Sequence, residues 1–137
     1  MNNNPIYVID DDREEKDILA EVLKELGVNN EIMLFTSGED LLHELKINPV
    51  IPFLIISDIH LPGMTGFELR KKILEQVSIT DKTIPFIFWT TSASPMQIKK
   101  AYDLSAHGFF LKGKSHQEVK SSIEKIIEYW SASLAPE

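Results

Sequence analysis

The chain of 137 residues contains no cysteine, which excludes disulfide bonds, a thiolate nucleophile and a cysteine-ligated zinc site. It also lacks any apolar run near the ~20 residues that a membrane-spanning helix needs. The first residues, MNNNP, are polar and uncharged and do not resemble a secretory signal. We therefore expect a cytoplasmic protein that does not act at a membrane.

Positive charge is also in short supply. Asp and Glu number 21 against 14 Lys and Arg, and the net charge of −7 argues against a nucleic-acid-binding surface, which is normally basic. The hydrophobic fraction of 43% and the charged fraction of 26% are ordinary for a globular domain. The expected partner is therefore a protein or a small molecule.

Five short apolar segments, rich in β-branched and aromatic residues, alternate with stretches of helical spacing. Segments of this kind are typical of parallel strands buried on both faces of a sheet. The pattern predicts an α/β domain of the (βα)₅ type, with a doubly wound parallel sheet between two layers of helices. Right-handed crossovers favour the strand order 2-1-3-4-5. The predicted strands cover residues 6–9, 31–35, 53–57, 86–90 and 108–111.

The predicted helices begin with capping boxes, in which a Ser, Thr or Asp is followed three residues later by Glu or Gln. We expect residues 1–137 to form a single domain, with a folded core over 5–130, a frayed tail over 131–137 and no output domain. Loops are predicted at 47–52 and 78–85. The capping pairs are Asp12/Glu15, Thr65/Glu68, Ser94/Gln97 and Ser115/Glu118, with Ser37/Asp40 as a near match.

The residues with useful chemistry fall at the carboxyl ends of the predicted strands, where parallel sheets bind ligands. Asp10 and Asp11 follow the first strand and Asp58 the third, while Thr90 and Lys112 end the fourth and fifth. Carboxylates suit a hard divalent cation such as Mg²⁺, which would also relieve the repulsion between adjacent aspartates. Asp58 could then attack phosphorus and form an acyl phosphate, with the ammonium and the hydroxyl binding the phosphoryl oxygens.

Four segments resemble the landmarks of the response-regulator receiver domain of bacterial two-component signalling: VIDDD, FLIISDIHLPGMTGFEL, IPFIFWTTS and GFFLKGK. The resemblance runs from about residue 6 to residue 130 and implies a flavodoxin-like fold. It also implies a phosphoryl group received from a sensor histidine kinase or a phosphotransfer protein. The Lys–Gly junction and the ending IIEYW are similar to stand-alone receivers that pair with bacterial phytochrome kinases.

The resemblance also assigns roles. Asp10 and Asp11 would be the metal-binding acid pair, Asp58 the phosphorylated aspartate and a further Mg²⁺ ligand, and His60 a metal ligand through its backbone carbonyl. Three further residues would serve the phosphoryl group and the switch that follows: Thr90 as the switch hydroxyl, Lys112 as the phosphate-pairing lysine and Phe109 as the switch aromatic.

Two positions depart from the family pattern. Gly113 follows the lysine where the family usually has proline, and we expect it to loosen the loop after the fifth strand. Thr91 follows the switch hydroxyl where Ala or Gly is usual, and its bulk is expected to narrow access to the phosphoryl group. Neither change removes a reactive group.

Three functions fit these observations. The first is a phosphorylation-dependent switch that signals through its helix 4–strand 5–helix 5 face, to a downstream protein or a second copy of itself. The second is a constitutive binding module that keeps the fold without being phosphorylated. The third is a phosphate-ester hydrolase with an aspartyl intermediate, although no substrate-binding insertion is visible. The residues on or near the predicted face are Ile98, Tyr102, Phe109 and Trp130.

Overall fold

The computed structural model describes residues 3–75 and 83–133. Within these ranges strands and helices alternate along the chain as predicted. The strands are β1 (Ile6–Ile9), β2 (Ile32–Phe35), β3 (Leu54–Ser57), β4 (Phe86–Thr90) and β5 (Gly108–Leu111). The helices are α1 (Arg13–Glu25), α2 (Gly38–Ile47), α3 (Gly66–Glu75), α4 (Pro95–Asp103) and α5 (His116–Ala132).

The five strands form one parallel sheet in the order β2-β1-β3-β4-β5, which confirms the predicted topology. The expectation that every strand is buried on both faces is wrong for the two edges. β2 and β5 are largely half-exposed, whereas β1, β3 and β4 are buried throughout. An edge strand has a neighbour on only one side, so the helical layers cover it less completely.

Two separate apolar cores lie on the two faces of the sheet, because successive side chains of a strand point in opposite directions. One core packs α2, α3 and α4 against the sheet, and the other packs α1 and α5. Phe109 contributes to the first core and Phe110 to the second, which settles where these adjacent rings lie.

Capping explains where most of the helices begin. The reciprocal bonds of a capping box form between Thr65 and Glu68 and between Ser94 and Gln97. At the start of α1, the Asp12 carboxylate accepts the N–H groups of residues 14 and 15, but no return bond from residue 15 is formed. The Glu15 carboxylate instead accepts a hydrogen bond from Lys112.

The C-terminal boundary of the folded core differs from the prediction. Helix α5 continues through Ala132 instead of ending at residue 130, because the Ser133 N–H donates to the Tyr129 carbonyl at 3.0 Å and completes another turn. The rest of the predicted frayed tail, residues 134–137, lies outside the described residues, as does most of the predicted 78–85 loop. No helix in the described ranges has the length and apolar character needed to cross a membrane.

Candidate phosphoryl-acceptor site

The carboxyl edge of the sheet brings four of the predicted site residues together. Asp10 follows Ile9, the last residue of β1, and Asp58 follows Ser57, the last residue of β3. Ile9 and Ser57 are paired in the parallel β1–β3 ladder, so the two aspartates leave adjacent strands at the same level. Thr90 and Lys112 come from β4 and from the end of β5, where the Lys112 N–H donates to the Thr90 carbonyl at 2.7 Å. All four residues are buried. Parallel pairing thus concentrates two carboxylates, a hydroxyl and an ammonium at one edge.

Lys112 occupies the centre of this group. Its Nζ donates to Asp10 Oδ2 at 2.6 Å and to Asp58 Oδ2 at 3.0 Å. It also donates to Glu15 Oε2, a carboxylate for which the sequence pattern predicts only a role in a helix cap. The side chain of Lys112 is 4% exposed, so these bonds form in a largely water-excluded environment where charge pairing is strong.

Glu15 reaches the site because α1 begins directly after β1. The first turn of such a helix lies above the carboxyl edge of the sheet, which places residue 15 over the strand ends. No local sequence pattern indicates this position. The capping-box interpretation instead assigns Glu15 a local partner at the start of α1.

Backbone groups fix the orientation of the two buried aspartates. Asp58 Oδ1 accepts the N–H of Ile59 at 2.6 Å and that of His60 at 3.3 Å, which leaves Oδ2 directed at the ammonium. Asp10 Oδ1 accepts the N–H of Asp12 at 2.9 Å. Each aspartate therefore holds one oxygen against the backbone and turns the other toward Lys112.

Burial and charge shift the pKa values at this site. Burial raises the pKa of Asp10 to about 6, and the nearby Asp58 carboxylate adds to the rise although the hydrogen bond from Lys112 opposes it. Burial alone would lower the pKa of Lys112. Hydrogen bonds to Asp10, Glu15 and Asp58 outweigh that effect and raise it. The ammonium therefore stays charged while the cluster around it carries excess negative charge.

Two predicted metal-site residues lie at the rim. Asp11 is exposed and is not among the carboxylates that cluster at this edge. The chain alternates sides as it leaves β1, so Asp10 points inward when Asp11 points out. His60 is also exposed and approaches the site through its N–H group. Their roles as metal ligands stay predictions.

The donor set fits a hard divalent cation. One carboxylate oxygen from each of Asp10, Glu15 and Asp58 lies within 4.8 Å of the others. Carboxylates are the ligands that Mg²⁺ takes in proteins, together with its own waters. Lys112 contacts all three of these carboxylates, so a bound cation and the ammonium would share them.

Thr90 and Phe109, the two predicted switch residues, differ in their surroundings. Thr90 is fully buried, and its Oγ1 has no hydrogen-bond partner within the described part of the chain. Phe109 is half-buried and packs against Phe88, with ring centroids 6.0 Å apart. The hydroxyl is therefore available to a ligand, whereas the aromatic ring lies in the core beneath α4.

Two glycines let the backbone pack closely beside the site. A Cβ on Gly66 would overlap the carbonyl oxygen of Asp58. A Cβ on Gly113 would overlap the Glu118 side chain and lie 2.8 Å from the Val119 nitrogen. Glycine at position 113 thus permits tight packing of the loop against α5. The expectation that Gly113 loosens this loop stays a prediction.

A doubly wound sheet of this order, with buried acids and a lysine at its carboxyl edge, defines a receiver-type signalling domain. The chain belongs to the response regulator receiver domain family, whose model matches residues 6–124. Members are typically phosphorylated on an aspartate and bind Mg²⁺, and they act as signalling modules rather than enzymes. The predicted family is thereby confirmed.

Similar proteins are found in several organisms. The chemotaxis protein CheY of Pseudomonas aeruginosa is 28% identical over 125 residues, which cover 90% of this chain and 95% of CheY. The response regulator Rcp1 of Synechocystis sp. is 23% identical over 130 residues, which cover 91% of this chain and 87% of Rcp1.

Solved structures agree on the fold. The phosphorylated cyanobacterial phytochrome response regulator RcpA superposes with a TM-score of 0.89 at 23% identity, over 99% of this chain and 100% of RcpA. The Mn²⁺-bound form of Rcp1 gives a TM-score of 0.85 at 22% identity, over 97% of this chain and 99% of Rcp1. At these identities the likeness concerns the fold alone.

Proposed function

We propose that this protein is a cytoplasmic response regulator that accepts a phosphoryl group on Asp58 from the phosphohistidine of a sensor histidine kinase or of a phosphotransfer protein. The observation that carries this proposal is the position of Lys112, whose Nζ lies 3.0 Å from Asp58 Oδ2. A fixed positive charge beside the attacking oxygen stabilises the charge of the transferring phosphoryl group.

The transfer balances with groups already at the site. Asp58 Oδ2 forms a bond to phosphorus while the phosphorus–nitrogen bond of the phosphohistidine breaks. The histidine keeps the electron pair of that bond and takes up a proton from water. Asp58 releases its hydrogen bond with Lys112 to a phosphoryl oxygen. The Ile59 N–H, 2.6 Å from Asp58 Oδ1, keeps the carboxyl group oriented throughout.

Mg²⁺, when bound, offsets the negative charge of the carboxylates and of the incoming phosphoryl group. We assign its protein ligands to Asp10, Asp11 and Asp58, with the backbone carbonyl of His60. The clustered carboxylate oxygens of Asp10 and Asp58 support this assignment. Asp11 would complete the set from the exposed rim.

Thr90 and Phe109 would convert phosphorylation into a change of surface. The Thr90 hydroxyl is buried and has no partner within the described residues, so a phosphoryl oxygen would satisfy it. Movement of Thr90 toward Asp58 would open space into which Phe109 can turn. A ligand shifts such an equilibrium only by its preference for one state, and this bond supplies that preference.

The surface that we propose as the output is the α4–β5–α5 face, defined by Ile98, Tyr102, Phe109 and Trp130. Ile98 and Tyr102 are exposed large side chains. Beside them, a pocket of about 390 Å³ is lined by aromatic residues of β5 and α5. Such a surface suits a downstream protein or a second copy of the chain.

The test measures intact mass after incubation with Mg²⁺ and acetyl phosphate, a small acyl-phosphate donor. We expect a gain of one phosphoryl group that requires Mg²⁺ and disappears in Asp58→Asn. Asp12→Asn is the matched control, because Asn caps a helix as well as Asp and the site is unaltered.

The rival functions give different results in the same experiment. If no phosphoryl group is gained and the tryptophan fluorescence does not change on addition of Mg²⁺, the constitutive binding module is favoured. Steady turnover of a generic phosphate ester would favour a hydrolase. Either result would contradict the proposal.

A further inference from the structure

Glu15 supplies the third carboxylate around Lys112, and it comes from a helix rather than from a strand end. Its N–H group is fixed by the Asp12 carboxylate at 3.3 Å, in the first turn of α1. The side chain of Glu15 is 30% exposed, against 4% for Lys112. Glu15 therefore contacts the ammonium from the side nearest to solvent.

The hydrogen-bonding capacity of Lys112 is fully used. An ammonium has three N–H donors and no acceptor, and here one donor each serves Asp10, Glu15 and Asp58. The ring of Trp89 lies on another side, 5.2 Å from Nζ. Any further oxygen can bind Lys112 only if one of the three carboxylates releases it.

The charge of Glu15 acts oppositely on the two ligands of the site. A third carboxylate attracts a divalent cation, and it repels the negatively charged oxygens of a phosphoryl donor. Because Glu15 is fixed on α1, its attraction for Lys112 does not depend on what happens to Asp58. The Lys112 ammonium is therefore still attracted to Glu15 when a phosphoryl group reaches the site.

We propose that Glu15 is a positioning residue that restrains Lys112 in the unphosphorylated protein and competes with the phosphoryl group for its ammonium. This inference rests on the proposed function of Asp58. It gives the site a built-in brake on phosphorylation, released when Lys112 transfers a hydrogen bond to the phosphoryl oxygens.

The test compares Glu15→Gln with Glu14→Gln. The first substitution keeps the length and hydrogen-bonding ability of the side chain but removes the charge that faces Lys112. The second removes an equal charge from the same helical turn, at an exposed position outside the carboxylate cluster. Calorimetric titration with Mg²⁺ alone gives the metal affinity, and intact mass against time gives the rate of phosphorylation by acetyl phosphate at saturating Mg²⁺.

We expect Glu15→Gln to bind Mg²⁺ more weakly and yet to be phosphorylated faster. Each change should be roughly five- to tenfold, the effect of about one hydrogen bond of ordinary net strength. Glu14→Gln should match the unchanged chain within about twofold, as expected for an exposed charge. A loss of structure would lower both quantities, so opposite signs distinguish a restraint on Lys112 from a general defect.

Every other combination overturns the inference. If Mg²⁺ affinity and phosphorylation rate fall together, Glu15 is a metal ligand or a structural residue. If Glu15→Gln behaves like Glu14→Gln, the contact with Lys112 has no influence on the reaction. If the unchanged chain gains no phosphoryl group while Asp58 is intact, the proposed function fails and the brake fails with it.

Discussion

The ammonium of Lys112 lies 5.2 Å from the centre of the Trp89 ring, which forms one wall of the site. Trp89 is almost fully buried on the face of the sheet covered by α1 and α5. A cation over an aromatic face is attracted by the ring quadrupole, so Trp89 helps hold Lys112 in place. The contact also puts a fluorophore beside the reacting groups.

Tryptophan emission should therefore report on the site. In a Trp130→Phe background, which leaves Trp89 as the remaining tryptophan, addition of Mg²⁺ should change the emission intensity because the charges around Lys112 rearrange. Phosphorylation by acetyl phosphate should change it again. Steady-state fluorescence measures both steps. An emission that follows neither ligand would contradict the placement of Lys112 against this ring.

Thr90→Val should separate stability from switching. A buried hydroxyl without a partner costs about 1–3 kcal/mol, and Val replaces it with a methyl group of the same shape. The free energy of unfolding of the unphosphorylated protein should stay constant or rise by about 1 kcal/mol in urea denaturation. The difference in tryptophan emission between phosphorylated and unphosphorylated protein should become much smaller, because the phosphoryl oxygen loses its hydrogen bond with the Thr90 hydroxyl.

Thr90→Ser is the control for this prediction, since it keeps the hydroxyl and removes only a methyl group. It should retain the spectral change upon phosphorylation and lose some stability through the small cavity. A Val variant that switches as well as the Ser variant would show that the hydroxyl plays no part in the response.

Much of the fold and part of the site could be predicted because both depend on simple periodicity. Strand length and helix spacing predict a parallel sheet, and parallel strands place Asp58 and Lys112 at one edge. Glu15 was missed as a site residue because its role depends on how α1 sits above that edge, which no local pattern encodes. The packing role of Gly113 was not predicted for a related reason: a glycine that gives flexibility and one that permits close packing look alike in sequence.

Gly113→Ala should destabilise the protein, although replacing glycine by alanine usually stabilises a protein by restricting the unfolded chain where the native backbone allows it. The added Cβ would overlap Glu118 and crowd the Val119 nitrogen at the start of α5, so the loop or the helix must shift. We expect a loss of about 1–3 kcal/mol in the free energy of unfolding, the usual cost of overpacking. Lys114→Ala, at the next and exposed position, should change it by less than about 0.5 kcal/mol. Equal free energies of unfolding for the two variants in urea would show that the loop accommodates the added Cβ without strain and would contradict this prediction.

His107 should make stability depend on pH, at a place remote from the phosphoryl site. Its Nδ1 accepts the N–H of Phe86 at 3.0 Å, and its ring makes a T-shaped contact with the Trp130 ring, with centroids 5.6 Å apart. Burial lowers the pKa of His107, and the charge of Arg70 lowers it further. Protonation of Nδ1 would remove the acceptor and place a second positive charge near that guanidinium.

The sign of the effect follows from the lowered pKa. Near the ordinary histidine pKa of about 6.5, the unfolded chain binds a proton that His107 of the folded chain does not bind. The free energy of unfolding therefore falls as the pH decreases below that value. His107→Asn keeps an acceptor, because Asn Oδ1 can receive the Phe86 N–H, and it does not titrate. Urea denaturation at about pH 7.5 and about pH 5.5 should therefore show a smaller loss for this variant than for the unchanged chain. His43→Asn, at an exposed position on α2, should keep the full loss. If removing His43 reduces the pH dependence as much as removing His107 does, the Phe86 contact is not its source.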